Sequence, residues 1–490
     1  MNVISDLILL LTTSKTNLNA QAIRKIVFQK KATIISFQFI SINSNGCLNK
    51  NEFLNWHYQY GIDLSKIHDQ FQLRDIILLR NSDLMPKSNF VLLHLWNWPE
   101  STYNIDSVRI PHPKKFDKRN NPLGKNPGNI WAFTPKLDDG KESIQLEPTL
   151  LDENKTVCQK QVELDALKRL IKCHSLEQDE VLYLAETADI EKIKLLIIGL
   201  HRKQRILSTG VPDPFTKRIT KTTDYPFNKN KKADTIEAHG LPSSNPKAIY
   251  YFTDSRYGVA NLIDELIDDV VTSPPYNIKY DPFNVPKPDP KSGKLVKPNK
   301  KGYKDDLPAD LYNHLLKSVF KEIDQKLNPQ SADVFINLKN NYSNGFCLPA
   351  FWILDLIPSS WQFTDLLIWR YDISYDPAKN KYKPYYEWIF RFSKGKAHLK
   401  PNHTYLRDYY LPILKGNSKE REGLKHPAIY PRKLVKICLN ESSHRGLVLD
   451  PFLGSGTTLI SAYEMERPSI GFEIDCEYKK DIEKQLTKII

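Results

Sequence analysis

The chain has 490 residues, of which 40% are apolar and 26% charged, and its 70 Lys and Arg against 57 Asp and Glu leave a net charge of +13. That balance supports two or three folded domains and excludes a disordered chain, while the positive excess points to an anionic partner, nucleic acid or an acidic membrane surface. The longest apolar runs, LILLL at 7–11 and LLIIGL at 195–200, fall far short of the ~20 residues of a membrane-spanning helix. Asp6 stands where a secretory leader would be basic. The six scattered cysteines, Cys47, Cys158, Cys173, Cys347, Cys438 and Cys476, form neither a CxxC nor a Cys/His ligand pattern. The expectation is a cytoplasmic protein with reduced thiols, no metal centre and no membrane partner.

In chain order, residues 1–95 mix apolar and polar stretches without a clear period. Residues 96–131 are dense in Pro, Gly and Asn and read as loops pinned by aromatics. VELDALKRLIKC predicts an amphipathic helix, EVLYLAE a strand and IEKIKLLIIGL a helix. A polar, basic stretch over 214–245 predicts a linker or exposed loop. Strand, loop, helix, strand and corner then follow through AIYYFTDSRYGVANLIDELIDDVVTSPPY, and the insert at 279–304, with eight Lys and two Asp, predicts a mobile basic loop. Further on, helices are predicted at 309–327, 347–357, 430–440 and 456–466. Strands are predicted at 332–338, 365–371, 385–394, 446–452 and 469–475. Alternating strands and helices predict a mostly parallel, doubly wound α/β sheet.

Two motifs carry chemistry. LVLDPFLGSGTTLISA sets a strand, a glycine turn and a helix start in sequence. Gly454 and Gly456 allow close backbone approach to a ligand, and Thr457 or Thr458 is placed to cap the helix. It is neither a P-loop nor a dinucleotide fingerprint, and a purely structural turn would read the same way. Glu473, at the end of the next strand, is favoured over Asp475 as an acceptor for ribose hydroxyls. The second motif, VTSPPY at 271–276, ends a hydrophobic strand in a rigid corner. Two prolines remove N–H donors and leave carbonyl acceptors, Ser273 adds a hydroxyl acceptor and Tyr276 a flat face. Such an edge suits an exocyclic amine on a nucleobase.

The pair resembles the S-adenosylmethionine-dependent amino-methyltransferases of DNA, in the β-group order with the catalytic corner before the cofactor turn. HPAIYPRKLVKICL and YYEWIFRFSKG resemble two further motifs of that group, and the likeness covers about 245–490. It implies a Rossmann-like methyltransferase sheet, with Asp450, Phe452, Gly454, Gly456, Thr457 and Glu473 binding cofactor and Ser273, Pro274, Pro275 and Tyr276 binding the flipped base. It also implies double-stranded DNA as partner and a restriction–modification role, with a cognate endonuclease that forms no stable complex. TSPPY is commonest among cytosine-N4 enzymes, with adenine-N6 as the alternative. Cytosine-C5 chemistry is rejected, because no Cys here follows a Pro. A non-catalytic nucleic-acid-binding partner on the same scaffold is a second alternative, and an RNA or protein-amide substrate a third.

The remaining half, 1–240, carries two weaker likenesses. NPLGKNPGNIW resembles a segment of some β-group cytosine enzymes. Setting Val181-Leu182-Tyr183 against Val448-Leu449-Asp450 puts Thr187 opposite Gly454 and Asp189 opposite Gly456. The expectation is a degenerate methyltransferase-like or DNA-recognition half at 1–240, followed by a catalytic domain at 241–490. The alternative is an unrelated helical domain. The segment between the FSK strand and HPA is short, so the 279–304 loop, the first half and IPHPKK at 110–115 are the expected DNA readers.

Overall fold

The structure is a computed structural model. It describes residues 248–277, 307–343, 346–371, 382–400, 403–414, 418–442 and 444–487, together with shorter segments of the first half, chiefly 33–38, 45–54, 71–80, 90–98 and 160–174. The helix expected at 190–200, the segment 110–115 and positions 187 and 189 lie outside the described residues.

The strands of the first half are β1 (Leu7–Leu11), β2 (Thr33–Gln38), β3 (Gln72–Arg80), β4 (Phe90–Asn97), β5 (Ile130–Trp131), β6 (Ser143–Leu146), β7 (Lys160–Glu163), β8 (Glu180–Ala185) and β9 (Lys203–Ile206). Its helices are α1 (Lys50–Leu54) and α2 (Leu164–His174). The second half holds β10 (Ala238–Gly240), β11 (Ala248–Phe252), α3 (Ser255–Ala260), β12 (Ile267–Thr272), the pair β13 (Lys287–Pro288) and β14 (Leu295–Val296), and α4 (Ala309–Lys326). Then come β15 (Ser331–Leu338), β16 (Asn341–Ser343), β17 (Phe346–Leu348), β18 (Trp361–Arg370), β19 (Tyr386–Gly395) and β20 (Asp408–Tyr410). The chain closes with α5 (Arg432–Glu441), β21 (Leu447–Asp450), α6 (Thr457–Glu464), β22 (Ser469–Glu473) and α7 (Lys479–Thr487).

The second half is a nine-stranded sheet in the order β10-β11-β22-β21-β12-β15-β19-β18-β20. Strands β11 to β15 of that order are parallel, while β19 runs antiparallel to both neighbours. The sheet is therefore more mixed than the alternation predicts, because β19 pairs antiparallel with both β15 and β18. Along β12 and β15, Val270, Val334 and Ile336 face one core, with α3 and α4, whereas Val271 and Phe335 face another, with α5 and Ala462 of α6. Alternate residues thus pack on opposite faces, and the sheet is doubly wound. Helix α4 buries Tyr312, Leu316, Val319, Phe320 and Ile323 along one stripe. Two expectations change. Residues 346–355 form β17 and a short 3-10 helix (Ala350–Asp355), since Pro349 breaks the run that reads as one helix. The stretch read as a linker ends in β10, which pairs antiparallel with β11.

The first half forms a seven-stranded sheet in the order β5-β3-β4-β2-β1-β8-β9. Strand for strand this is the order β20-β18-β19-β15-β12-β21-β22 of the second sheet, with every pairing in the same sense. Even a register shift recurs, between Leu73 and Asp75 in β3 and between Phe363 and Asp365 in β18. Aligning those shifts sets Leu95 on Arg391, and carrying the register through four successive strand pairings sets Ile34 on Val334, Ile8 on Val270 and Leu182 on Leu449.

The two sheets share one core. Ile34, Phe53, Ile76 and Leu78 of the first pack in the same cluster as Phe351, Tyr386 and Phe390 of the second. Phe53 stacks on Phe351 at 5.3 Å between centroids. Polar contacts fix the register between the halves: Tyr386 donates to the Ile76 carbonyl at 2.8 Å and Tyr342 to Asp75 at 3.0 Å. No helix among the described residues is long and apolar enough to cross a membrane.

Candidate active site

The parallel strands deliver their carboxyl ends to one edge, where α/β sheets hold their ligands. A cleft of about 1090 Å³ opens there. Ser273, Pro274, Pro275 and Tyr276 follow β12 and form one wall; Phe452, Gly454 and Thr457 follow β21 and form the other. Glu473 closes β22 on the same edge.

The corner is held from several sides. Tyr312 donates its hydroxyl to the Pro275 carbonyl, and Asn341 donates to the Tyr276 carbonyl at 2.8 Å. Pro274 lines the cleft beside Ser273, and lacking an N–H it offers the cleft no backbone donor. The Ser273 hydroxyl donates to Tyr276 Oη at 3.0 Å, and Tyr276 Oη is shared between Asn337 Oδ1 and Glu387 Oε2, each at 2.9 Å. Lys339 Nζ lies over the Tyr276 ring, 5.3 Å from its centroid. Burial holds the Tyr276 phenol well above its usual range, reinforced by the Glu387 charge.

The glycine turn places Gly454 and Gly456 at φ of 55° and 86°, the left-handed region that favours glycine. A Cβ on Gly454 would lie 2.9 Å from His426 Nε2. Glu473 accepts from Gly454 N at 2.7 Å and from Asp475 N at 2.9 Å, and burial raises its pKa to about 7. His426 lines the cleft, its pKa lowered to about 4 by burial and by the Arg421 charge. Ala428 N donates to its Nδ1 at 3.3 Å, which leaves Nε2 to carry the proton of the neutral ring.

Two expected contacts move. Asp450 lies beneath the cleft, fully buried, accepting from Thr272, Thr458, Tyr430 and the Phe452 N–H. It clamps the strand that enters the corner to the glycine turn, with no side-chain surface on the cleft wall. Gly456 likewise sits behind the wall, as the residue preceding α6, facing Ile482. Neither Thr457 nor Thr458 caps the helix; Thr458 spends its hydroxyl on Asp450. The sequence reading missed Asp254 and Ser255, which line the cleft after β11. Asp254 caps α3 by accepting from Arg256 N, and Ser255 donates to the Pro451 carbonyl, tying that loop to the turn. It also assigned no role to Asn337 and Lys339, whose signal was only polar residues at a strand end, or to Glu387, although that residue lies in the YYEWIFRFSKG stretch.

The equivalent edge of the first sheet is different. Register sets Phe37 on Asn337, Val91 on Glu387, Leu11 on Ser273 and Tyr183 on Asp450. Past Leu11 the sequence runs Thr12-Thr13-Ser14 where the second runs Pro274-Pro275-Tyr276. The Tyr276 acceptors, the corner and the Asp450 clamp are thus found in the second sheet alone.

A glycine turn thus faces the Ser-Pro-Pro-Tyr corner across one cleft of a doubly wound sheet. Residues 267–484 match the sequence model of the N6_N4_Mtase family, described as DNA methylase. That match covers less than half of the chain, and it is the second half that is similar to DNA methylases. The orphan methyltransferase M.BamHII of Bacillus amyloliquefaciens is 30% identical over 154 residues, 23% of this chain and 58% of its own length. The chain thus spans little over half of that relative. The type II methyltransferase M.SmaI of Serratia marcescens is 25% identical over 268 residues, 46% of this chain and 86% of its own. Among solved structures, the PvuII DNA methyltransferase (cytosine-N4-specific) aligns with a TM-score of 0.38 and 22% identity, over 50% of this chain and 86% of that one.

The cleft residues suit the cofactor. Phe452, Leu453 and Ile474 give apolar flanks for a purine, Glu473 offers carboxylate lone pairs to hydroxyls, and the Gly454 turn leaves room for close approach.

Proposed function

We propose that this chain is a site-specific DNA amino-methyltransferase that modifies the exocyclic N4 of cytosine in duplex DNA, within a type II restriction–modification system. The single observation that carries the reading is the juxtaposition of the Ser273 corner and the Gly454 turn in one cleft. Adenine-N6 is the finer alternative, since both rings present an amine beside a ring nitrogen; the TSPPY form of the corner favours cytosine. The type II system is supported by the relationship to M.SmaI. A cytoplasmic location and a separate endonuclease follow from the same system.

In this reading Phe452, Gly454, Thr457 and Glu473 hold S-adenosylmethionine, while Asp450 and Gly456 shape the turn from behind. The cofactor supplies an electrophilic methyl on a cationic sulfur. Ser273 Oγ and the Pro274 carbonyl accept the two amine protons and draw the nitrogen lone pair out of ring conjugation. Tyr276 and Pro275 bound the base, and neutral His426 keeps a second positive charge away from the sulfonium. Rigid positioning by the corner supplies much of the rate. The non-catalytic reading predicts a corner eroded like Thr12-Thr13, and the intact second cleft speaks against it.

We also propose that 1–240 is a methyltransferase-like half that has lost its site and serves DNA recognition and packing. The repeated strand order and register support that reading.

The test is mass spectrometry of nucleosides after unmethylated DNA is incubated with the protein and S-adenosylmethionine. N4-methylcytosine is expected. N6-methyladenine would move the base assignment, and no modified base with cofactor bound would overturn the DNA reading. Because +13 charges face a polyanion, DNA affinity should fall steeply with salt.

A further inference from the structure

We infer that Glu387 is the terminal proton acceptor of the reaction, reached from the amine through Ser273 and Tyr276. The inference rests on the amino-methyltransferase reading and adds to it a fate for the proton. Methylation forms an N–C bond as the methyl–sulfur bond breaks, with that bonding pair going to sulfur. The nitrogen is then cationic and must shed one proton. The nearest ready-made acceptor is reached through the hydrogen bonds of the corner itself.

The hydrogen bonds run in one direction. Ser273 donates to Tyr276 at 3.0 Å and Tyr276 donates to Glu387 at 2.9 Å. As Ser273 Oγ takes the amine proton, its own passes to Tyr276 Oη, whose proton passes to Glu387 Oε2. Both hydroxyls end as they began, the carboxylate becomes a carboxylic acid, and the amine keeps one proton. Glu387 lines the cleft and releases its proton there after the product leaves. Asn337 fixes the middle of the relay. Its Nδ2 donates to the Trp388 carbonyl at 3.1 Å, which turns Oδ1 toward Tyr276.

A separate observation points the same way. In the first sheet, Val91 and Phe37 stand where Glu387 and Asn337 stand, and the chain lacks the Pro-Pro corner there. The acceptor pair occurs with the corner and is replaced by apolar residues without it. A carboxylate serving packing alone would have no reason to follow the corner.

The groups facing Glu387 are Tyr276 from the corner, Asn337 and Lys339 from the β15 end and Tyr371 just after β18. Burial raises the Glu387 pKa above the ordinary glutamate range, while Lys339 and the hydrogen bonds draw it back. Turnover should therefore fall as pH drops through a pKa higher than an ordinary glutamate's, since the protonated acid accepts nothing.

The test is Glu387→Gln in the full chain, with kcat, KM for a duplex oligonucleotide, cofactor affinity by calorimetry, the melting temperature and the pH profile of kcat. General-base contributions run about 10²–10⁴-fold, so kcat should fall at least ~100-fold and lose its acidic limb. KM, cofactor affinity and melting temperature should hold. A kcat within about threefold of wild type with the limb unchanged would overturn the relay. Should Glu387→Gln not fold, Tyr276→Phe carries the test, since it removes only the middle hydroxyl and must flatten the same limb. If the wild-type protein itself methylates no base, the failure belongs to the functional reading and not to the relay.

Discussion

The two sheets of this chain share one arrangement of seven strands put to different ends. At the core they are interchangeable. Asp75 accepts from the next backbone N–H, Ile76, at 2.8 Å, as Asp365 does from Leu366 at 2.7 Å, each beside the same register shift. At the carboxyl edge they part. One sheet ends in Ser273, Asn337, Glu387 and Asp450, the other in Leu11, Phe37, Val91 and Tyr183. Strand order survives such changes because it depends on buried apolar area and ladder hydrogen bonds. A group-transfer site depends on a handful of polar groups at strand ends, which can be replaced without disturbing the ladder.

The sharpest way to break this comparison is to separate the halves. Residues 241–490 alone should fail to reach a native packed state, because Phe351, Tyr386 and Phe390 would lose the first sheet from their shared core. Near-ultraviolet circular dichroism and solubility report it; a fragment melting like the whole chain would mean that the shared core is dispensable. Next in size, replacing Pro274 and Pro275 together by Thr gives the second sheet the corner of the first. Turnover should drop about 10³-fold or more with cofactor affinity retained, as expected where positioning supplies the rate. Radiolabel transfer and calorimetry separate the two effects. Gly454→Asp should weaken cofactor binding at least ~100-fold, since the left-handed backbone and the approach to His426 both oppose a side chain. Normal binding by calorimetry would show that the turn is not the cofactor site.

The smallest effect concerns Glu473. Its folded pKa of about 7 exceeds that of the unfolded chain, so the folded state holds the proton more tightly. Its stabilising contribution is full below the ordinary glutamate range and is lost as pH rises through about 7. Melting temperature should decline between pH 5 and 7.5 (about the window of this titration), and Glu473→Gln should flatten that decline. An unchanged slope would place the titration elsewhere.

Both motifs were legible because each is local. Pro274-Pro275 imposes its backbone whatever surrounds it, and Gly454 and Gly456 mark a turn that other residues resist. The second half's strands were legible too, from runs such as ADVFINL that are buried on both faces. The antiparallel β19, the strand-and-3-10 stretch after Ser343 and the five strands β1 to β5 were not. Their apolar runs carry no period that tells orientation or partner, and β4 is buried along its whole length.

By itself the sequence determined where the chain turns rigidly and which short segments approach a ligand, since those follow from the backbone limits of Pro and Gly. Only the tertiary structure decided that Asp450 works from beneath the cleft and that Glu387, 111 residues beyond Tyr276, meets its hydroxyl. It likewise decided that the first sheet repeats seven of the second sheet's nine strands in the same order. Those facts depend on which strand lies beside which, and pairing between distant segments is set by the whole buried core rather than by any local run of residues.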